Sequence, residues 1–144
     1  MHRHIKKEVS LPYTARQLYD LVESIEEYPE FVPFCTKARR HAGHQRVIEG
    51  ELVFSYWGIY YTLVTKNTCI PYHSIEMDFV RGPLQHLEGG WYFEDQPHNR
   101  CLVRLDVCIS LKPWQEYLLL PSAVDLLSDR MVQIFIDRAR TVYS

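Results

Sequence analysis

The chain has 144 residues, of which 47% are hydrophobic, 24% charged and 13% aromatic, and its formal net charge is −2 at pH 7. This composition is typical of a globular protein, which excludes a disordered chain and a membrane-spanning one. The slightly negative charge excludes a general attraction to DNA or RNA, so nucleic-acid binding would need a local basic patch. The length predicts one domain, residues 1–144, with a single core.

The beginning of the chain lacks the pattern of a signal peptide, and no apolar run approaches the roughly 20 residues that cross a bilayer. We therefore expect a cytoplasmic protein, with peripheral attachment to the inner membrane left open. The four cysteines include no C-x-x-C pair. Cys101 and Cys108 fall in one predicted strand and would face opposite sides, so we expect free thiols.

The first predicted element is a short strand, because Ile5, Val9 and Leu11 fall on one side of an extended chain. A helix is predicted next. Thr14 is a candidate N-cap, and Gln17 completes a capping box with it. Apolar residues then follow at helical spacing up to Ile25.

A second short helix is predicted in the run Tyr28–Cys35. Pro29 suits the first turn of a helix, where its missing N–H is not needed. Pro33 then limits the length of this helix. The sequence therefore predicts a small apolar pair of helices behind the first strand.

From about Thr36 to Leu111 the apolar period changes to two, which predicts strands. The clearest strand is Cys101–Leu111, whose alternation predicts one buried face. Trp57-Gly58 is predicted to be the turn of a hairpin. With the first strand, the count is about seven strands joined by short turns, which favours an antiparallel meander.

The last segment, Pro121–Ser144, has a helical period of about 100° per residue. Two polar residues, Ser128 and Arg138, project from its apolar side. A buried arginine must find a partner, reach water or contact a ligand. The apolar positions on that side are Val124, Leu127, Met131, Phe135, Ala139 and Val142.

These elements predict an α+β fold: a curved antiparallel sheet of about seven strands, two short helices after the first strand, and a long C-terminal helix across the sheet. Side chains between the sheet and the helix would either fill a core or line an apolar pocket. Arg138 could bond a ligand headgroup there, or pair with a carboxylate. The candidate lining residues are Phe34, Tyr56, Met77, Phe79, Trp91, Phe93, Leu105, Val107, Met131, Phe135 and Arg138.

The sequence has no nucleophile elbow, phosphate loop, dinucleotide fingerprint or H-E-x-x-H motif. The pairs His2/His4 and His41/His44 lack the companions of a metal site, so no metal is expected. Glu76 and Asp78 share a strand face that we expect to be in water. An acid/base pair inside a cavity could only be drawn from His86 and Tyr92, whose orientation is open because Gly89-Gly90 could form a bulge.

Several ordered strings resemble the coenzyme Q-binding and ribosome association toxin A group of START-like, or helix-grip, domains. This group is classed with polyketide cyclases and lipid-transfer proteins. Each string is short, but together they span nearly the whole chain in the order of the family. They are Leu11–Ala15 leading into Leu18–Val22, Tyr28–Cys35, Gly82–Leu84, Gly89–Phe93, Met131–Phe135, Arg138-Ala139 and Val142-Tyr143.

The resemblance implies a cavity between sheet and helix that accepts a polyprenyl quinone such as ubiquinone. Such a protein would be a carrier or chaperone that supports respiration, without catalytic turnover, resident cofactor or DNA partner. Transient membrane contact is a further expectation. One segment departs from the family pattern: Trp114–Leu120 is rich in Leu, and Tyr117–Leu120 could form a mobile apolar lip before Pro121.

Two other functions stay open. Bacterial members of the group are also described as toxins that bind the large ribosomal subunit and block its joining to the small one. An aromatase or cyclase is the third hypothesis, resting on His86 and Tyr92. For the ribosome hypothesis, the sequence offers a basic cluster of the kind that binds RNA phosphates, namely Lys37, Arg39, Arg40, His41, His44 and Arg46.

Overall fold

The computed structural model describes residues 2–114 and 120–143. Seven strands, two α-helices and a 3-10 helix follow one another along these residues. In chain order they are β1 (His2–Leu11), α1 (Ala15–Glu23), the 3-10 helix (Ile25–Glu30), β2 (Cys35–His44), β3 (Val47–Tyr56), β4 (Ile59–Ile70), β5 (Ser74–Arg81), β6 (His86–Gln96), β7 (Arg100–Ser110) and α2 (Leu120–Val142).

The seven strands form one antiparallel sheet in the order β1-β7-β6-β5-β4-β3-β2. Six consecutive strands form a meander, and β1 pairs with β7 at its far end. The sheet is curved, and α1, the 3-10 helix and α2 lie on its concave side. The predicted α+β helix-grip architecture is confirmed, including the number of strands.

Alternation along the strands separates a buried concave face from an exposed convex one. In β7, Val103, Leu105 and Val107 are buried while Arg104 and Cys108 are exposed. β5 behaves likewise, since Glu76 and Asp78 are exposed as predicted. The period of two in the sequence is the direct result of this one-sided burial.

The helix pair differs in part from the prediction. Thr14 and Gln17 form the expected capping box at the start of α1. The second helix, however, is a 3-10 helix that begins at Ile25, and Pro29 lies near its end. The predicted start at Pro29 was therefore wrong, because Ser24 carries the chain directly from α1 into the tighter helix.

Two glycines in β6 allow the sheet to bend sharply. A Cβ atom on Gly89 would lie 2.0 Å from the Asp106 carbonyl oxygen of β7, and one on Gly90 would lie 2.5 Å from the Ile75 carbonyl oxygen of β5. The register on both sides of the pair is nevertheless continuous. Close approach of neighbouring backbones, rather than a bulge, is what requires glycine here.

Helix α2 packs its apolar side on the concave face. Ser128, Phe135 and Ala139 are buried, as the helical period predicted. Val142 was predicted to lie on the same side but is 46% exposed. The helix ends at that residue, and the next one, Tyr143, packs on α1 and donates a hydrogen bond to the Gln17 carbonyl oxygen at 2.8 Å.

The edge strand β1 also holds α2 by polar contacts. Arg3 forms an ion pair with Asp125, and the Lys7 ammonium group donates to the Asp129 carbonyl oxygen at 3.2 Å. The first half of the helix is thus tied to β1, while its second half is held by apolar packing on α1 and β6.

Gly89→Ala is expected to lower the free energy of unfolding by at least about 3 kcal/mol, because it combines strain at positive φ with a backbone clash. Gly58→Ala is the matched control, since Gly58 also has positive φ but nothing lies within 4 Å of its Cβ position. That variant should lose only about 1 kcal/mol. Urea denaturation measures both, and equal losses would contradict the close-approach explanation.

Candidate functional site: an apolar cavity under the long helix

A cavity of about 220 Å³ lies between the concave face of the sheet and α2. We call it the main cavity. Its walls are almost wholly apolar and come from every strand except β2, together with α2, the 3-10 helix and two loops. The lining residues are Ile5, Tyr28, Phe34, Leu52, Phe54, Tyr56, Tyr61, Leu63, Met77, Pro83, Leu84, Leu87, Trp91, Leu105, Val107, Ile109, Ala123, Val124, Leu127, Ser128, Met131 and Phe135.

The topology shows where the main cavity opens. The β3–β4 turn, the β5–β6 loop, the end of β7 and the start of α2 all lie at one end of the sheet, which we call the mouth end. Lining residues near that end, such as Phe34, Tyr56 and Pro83, are partly exposed. Trp91 and Phe135, deeper along the sheet, are buried.

Packed aromatic rings close the inner end. The ring of Phe135 on α2 meets Trp91 at 5.1 Å, Phe31 at 5.2 Å and Tyr28 at 5.5 Å between centroids. All three contacts are edge to face, the arrangement that aromatic quadrupoles favour. This part of the site is therefore a rigid floor, in contrast to the half-exposed mouth.

Four of the lining residues carry a hydroxyl group, namely Tyr28, Tyr56, Tyr61 and Ser128. The Tyr28 hydroxyl donates to the Val22 carbonyl oxygen, and burial raises the pKa of Tyr28. Ser128 is a buried polar residue on the α2 side. The Tyr61 hydroxyl is buried and has no hydrogen-bond partner among the residues that the structure describes. Leaving such a group unsatisfied costs about 1–3 kcal/mol, which makes the Tyr61 hydroxyl a candidate donor to a guest.

A smaller chamber of about 50 Å³ adjoins the floor and shares Tyr28, Leu52, Met77 and Trp91 with the main cavity. Its walls include two buried polar residues on β4. The Thr65 hydroxyl donates to the Asn67 side-chain oxygen at 2.7 Å. Polarity therefore increases beyond the aromatic floor.

The structure brings most of the predicted site residues together. Whether they contact a ligand stays a prediction. Those that line the main cavity are Phe34, Tyr56, Met77, Trp91, Leu105, Val107, Met131 and Phe135.

The structure places the other three candidates elsewhere. Phe79 packs against the core without lining the main cavity. Phe93 lies beyond the aromatic floor, with its ring 5.9 Å from that of Tyr19 on α1. Arg138 lies near the C-terminal end of α2 and contacts the 3-10 helix instead.

Arg138 has protein partners. Its guanidinium group stacks over the Phe31 ring at 4.8 Å and lies 3.4 Å from the Glu30 carboxylate. Of the two possibilities left open for this residue, the structure favours the carboxylate partner over the headgroup contact. The Glu30 side chain is 62% exposed, so the ion pair itself contributes little to stability.

The sequence reasoning missed the wall formed by β3 and β4. The type I′ turn at Trp57-Gly58, with φ of 52° and 78°, pairs Tyr56 with Ile59. This register places Phe54 opposite Tyr61. Pairing the two strands across the predicted two-residue turn would have placed Tyr61 opposite Phe54, and therefore on the concave face with Phe54 and Tyr56.

The candidates for acid/base catalysis lie outside the main cavity. His86 is exposed and lies 3.4 Å from the Glu88 carboxylate. The Tyr92 ring lies under the Arg104 guanidinium group on the convex face. Because the register through Gly89-Gly90 is continuous, both side chains point away from the cavity. The structure thus does not place the two residues on which the cyclase hypothesis rested inside the cavity.

The histidines and cysteines show ordinary structural surroundings. His4 bonds Asp106 at 2.7 Å, which lowers the pKa of that carboxyl group. No three His, Cys, Asp or Glu side chains in residues 2–114 and 120–143 are grouped to hold a metal ion. All four cysteines are free, as predicted, and burial raises the pKa of Cys35 and Cys101 to about 11.

The basic cluster lies on the edge strand β2 and in the turn that follows it, and it is partly neutralised. Arg40 binds Glu23 and Glu26, and this hydrogen bonding lowers the pKa of Glu26. His41 lies 3.5 Å from the Glu51 carboxylate. Arg40 and His41 are therefore engaged in contacts within the protein. The exposed members are Lys37, Arg39, His44 and Arg46.

A curved antiparallel sheet closed over an apolar cavity by one long helix defines the helix-grip, or START-like, class of domain. Residues 11–135 match the family described as "Polyketide cyclase / dehydrase and lipid transport", and the chain belongs to this family. The resemblance inferred from the ordered strings is thereby confirmed.

Relatives and solved structures agree with this assignment. Ribosome association toxin RatA of Pseudomonas aeruginosa is 30% identical over 99% of both chains. Coenzyme Q-binding protein COQ10 homolog B of Xenopus laevis is 28% identical over 71% of this chain and 43% of its own. The Zhui aromatase/cyclase of Streptomyces sp. R1128 superposes with a TM-score of 0.82 at 16% identity, covering 100% of this chain and 97% of the other.

No helix within the described residues combines the length and apolarity needed to cross a membrane. The predicted lip Tyr117–Leu120 falls outside the described side chains, so it stays a prediction.

Arg138→Met should leave uptake of 1-anilinonaphthalene-8-sulfonate, an anionic dye whose aromatic part binds apolar cavities, unchanged, because the residue does not line the main cavity. Stability should change by less than about 1 kcal/mol, since a lost cation–π contact is offset by removal of a buried guanidinium nitrogen. Leu127→Trp is the positive control, because its ring would occupy the cavity. A dye affinity that falls as far in Arg138→Met as in the control would contradict this assignment.

Proposed function

We propose that the protein binds an isoprenoid quinone, or a lipid of similar shape, with its ring in the main cavity. The observation that carries the proposal is the apolar cavity with the unpartnered Tyr61 hydroxyl in its wall. The fold and the family support a hydrophobic ligand. The name of the coenzyme Q-binding relative supports a quinone in particular.

The volume favours a ring over a whole lipid. A dry cavity of about 150 Å³ accepts benzene, and the main cavity measures about 220 Å³. A substituted quinone ring is of this size, whereas a polyprenyl tail is far larger. The tail of a bound ligand would therefore leave through the half-exposed mouth.

The hydrogen-bonding chemistry fits as well. A quinone ring presents carbonyl oxygens, which only accept hydrogen bonds. Tyr61 can donate one, and the bond would satisfy a buried hydroxyl group at the same time. The protein would act as a carrier or chaperone for the quinone, which requires no catalytic residue.

Tyr61→Phe is expected to weaken binding of a short-chain ubiquinone about three- to tenfold, the effect of losing one neutral hydrogen bond. Quenching of tryptophan fluorescence gives the affinity, and native mass spectrometry of the purified protein gives the identity of any resident ligand. Tyr60→Phe is the matched control, because Tyr60 is exposed on the opposite face of the same strand.

Absence of any quinone or lipid in the native spectrum, together with no uptake of added ubiquinone, would overturn the proposal. Equal losses in Tyr61→Phe and Tyr60→Phe would leave a ligand in the cavity but remove Tyr61 as its donor.

Ribosome binding is the second candidate. It is favoured by the 30% sequence identity to a ribosome association toxin, which extends over 99% of both chains. The exposed basic residues of β2 are the part of this chain that suits RNA phosphates. Because Arg40 and His41 contact acidic side chains, the available surface is smaller than the sequence suggested.

Overexpression should, on this second hypothesis, increase free subunits at the expense of whole ribosomes in sucrose gradients. The double substitution Lys37→Glu and Arg39→Glu should abolish the effect, since it reverses two exposed charges. Lys6→Glu with Arg130→Glu, at two exposed positions on β1 and α2, is the control for charge alone. Gradients that stay unchanged on overexpression of the parent chain would exclude this function.

A further inference from the structure

The mouth end of the sheet carries a group of large exposed apolar side chains. At the β3–β4 turn, Trp57 is 76% exposed, Tyr60 is 70% exposed and Ile59 is 45% exposed. Trp114, just after the end of β7, is 60% exposed. Single exposed apolar residues are ordinary, but a group of this size at one end marks an interaction site. We call Trp57, Ile59 and Tyr60 the hairpin tip.

Trp57 is held in an unfavourable backbone conformation. Its φ is 52°, in the left-handed region where glycine, asparagine and aspartate are preferred and a bulky residue is an outlier. Such strain costs of order 1–3 kcal/mol and is typical of functional positions. Because the indole is also exposed, folding does not explain its presence at this turn.

The hairpin tip is continuous with the wall of the main cavity. The Trp57 ring lies 6.3 Å from that of Tyr56, and the Tyr56 ring lies 5.0 Å from that of Phe34. Tyr56 and Phe34 both line the cavity near its mouth. A surface that contacts the hairpin tip would therefore lie beside the cavity opening.

Charge separates this end from the rest of the molecule. Residues 52–65, which contain the hairpin tip, include no charged side chain. Lys37 and Arg81 lie on the strands flanking β3 and β4, nearer the mouth end than the opposite end, and both are exposed. Among the described helical residues, the acidic side chain nearest the mouth end is Asp125 at the start of α2, and it forms an ion pair with Arg3 of β1.

We infer that the hairpin tip docks on a lipid bilayer that contains anionic lipids, with the mouth of the cavity facing the membrane. Trp and Tyr prefer the interfacial region of a bilayer, and flanking Lys and Arg favour anionic headgroups. The inference rests in part on the proposed function. A quinone tail that leaves the cavity at this end would then pass directly into the lipid phase.

Flotation with vesicles of phosphatidylcholine and phosphatidylglycerol, mixed at roughly three to one, tests the surface. The parent chain should float with the vesicles, and Trp57→Asn should reduce the bound fraction about tenfold through loss of the buried indole. Asparagine suits the left-handed turn, so this variant should melt at the same temperature or higher.

Tyr72→Asn is the matched control. Tyr72 is also exposed, at 39%, and also has positive φ, but it lies in the β4–β5 turn at the opposite end of the sheet. Its replacement should leave flotation unchanged. Equal flotation of Trp57→Asn and the parent chain, or no flotation of the parent chain, would overturn the inference.

Two further outcomes separate this inference from the proposed function. If Trp57→Asn loses flotation while the parent chain fails to bind short-chain ubiquinone, the membrane surface stands and the quinone proposal falls. If the parent chain sediments with large ribosomal subunits through Trp57 and does not float, the hairpin tip belongs to a ribosome contact and the membrane inference is wrong.

Discussion

The backbones of β5, β6 and β7 approach one another closely at Gly89-Gly90, and the architecture depends on this constraint. The carbonyl groups of β5 and β7 leave no room for a side chain at these positions, and the sheet can bend around α2 because none is present. A bent sheet closed by one helix encloses more volume than the helix side chains can fill. The main cavity is therefore a consequence of backbone geometry, and its chemistry depends on the residues that happen to line it.

The sequence predicts the parts of this structure that follow from local periodicity. Alternation in β7, the buried stripe around Ser128 and Phe135 on α2, and the Thr14 capping box each depend on residues close together in the chain. Arg138 shows the limit of such reasoning. Its partner Glu30 lies 108 residues away in the sequence, so no pattern of neighbouring residues could predict the contact.

The same limit explains how the site was predicted. Eight of eleven candidates line the cavity, because facing the core is a local property of strands and helices. Depth along the sheet is a long-range property, so Phe93 was placed in the cavity although it lies beyond the floor. Tyr61 was missed for a simpler reason: the antiparallel pairing of β3 with β4 across the Trp57-Gly58 turn was not worked out.

The two edge strands have a consequence of their own. β1 carries Arg3, Lys6 and Lys7, and β2 is basic as well as interrupted by two register shifts. Lysine-rich and irregular edges oppose the pairing of strands between molecules. Such edges benefit a protein that exposes aromatic side chains at one end. Two copies that touch at the hairpin tip would not go on to pair their edge strands into one continuous sheet. The chain can thus expose an apolar hairpin tip and still resist aggregation through strand pairing.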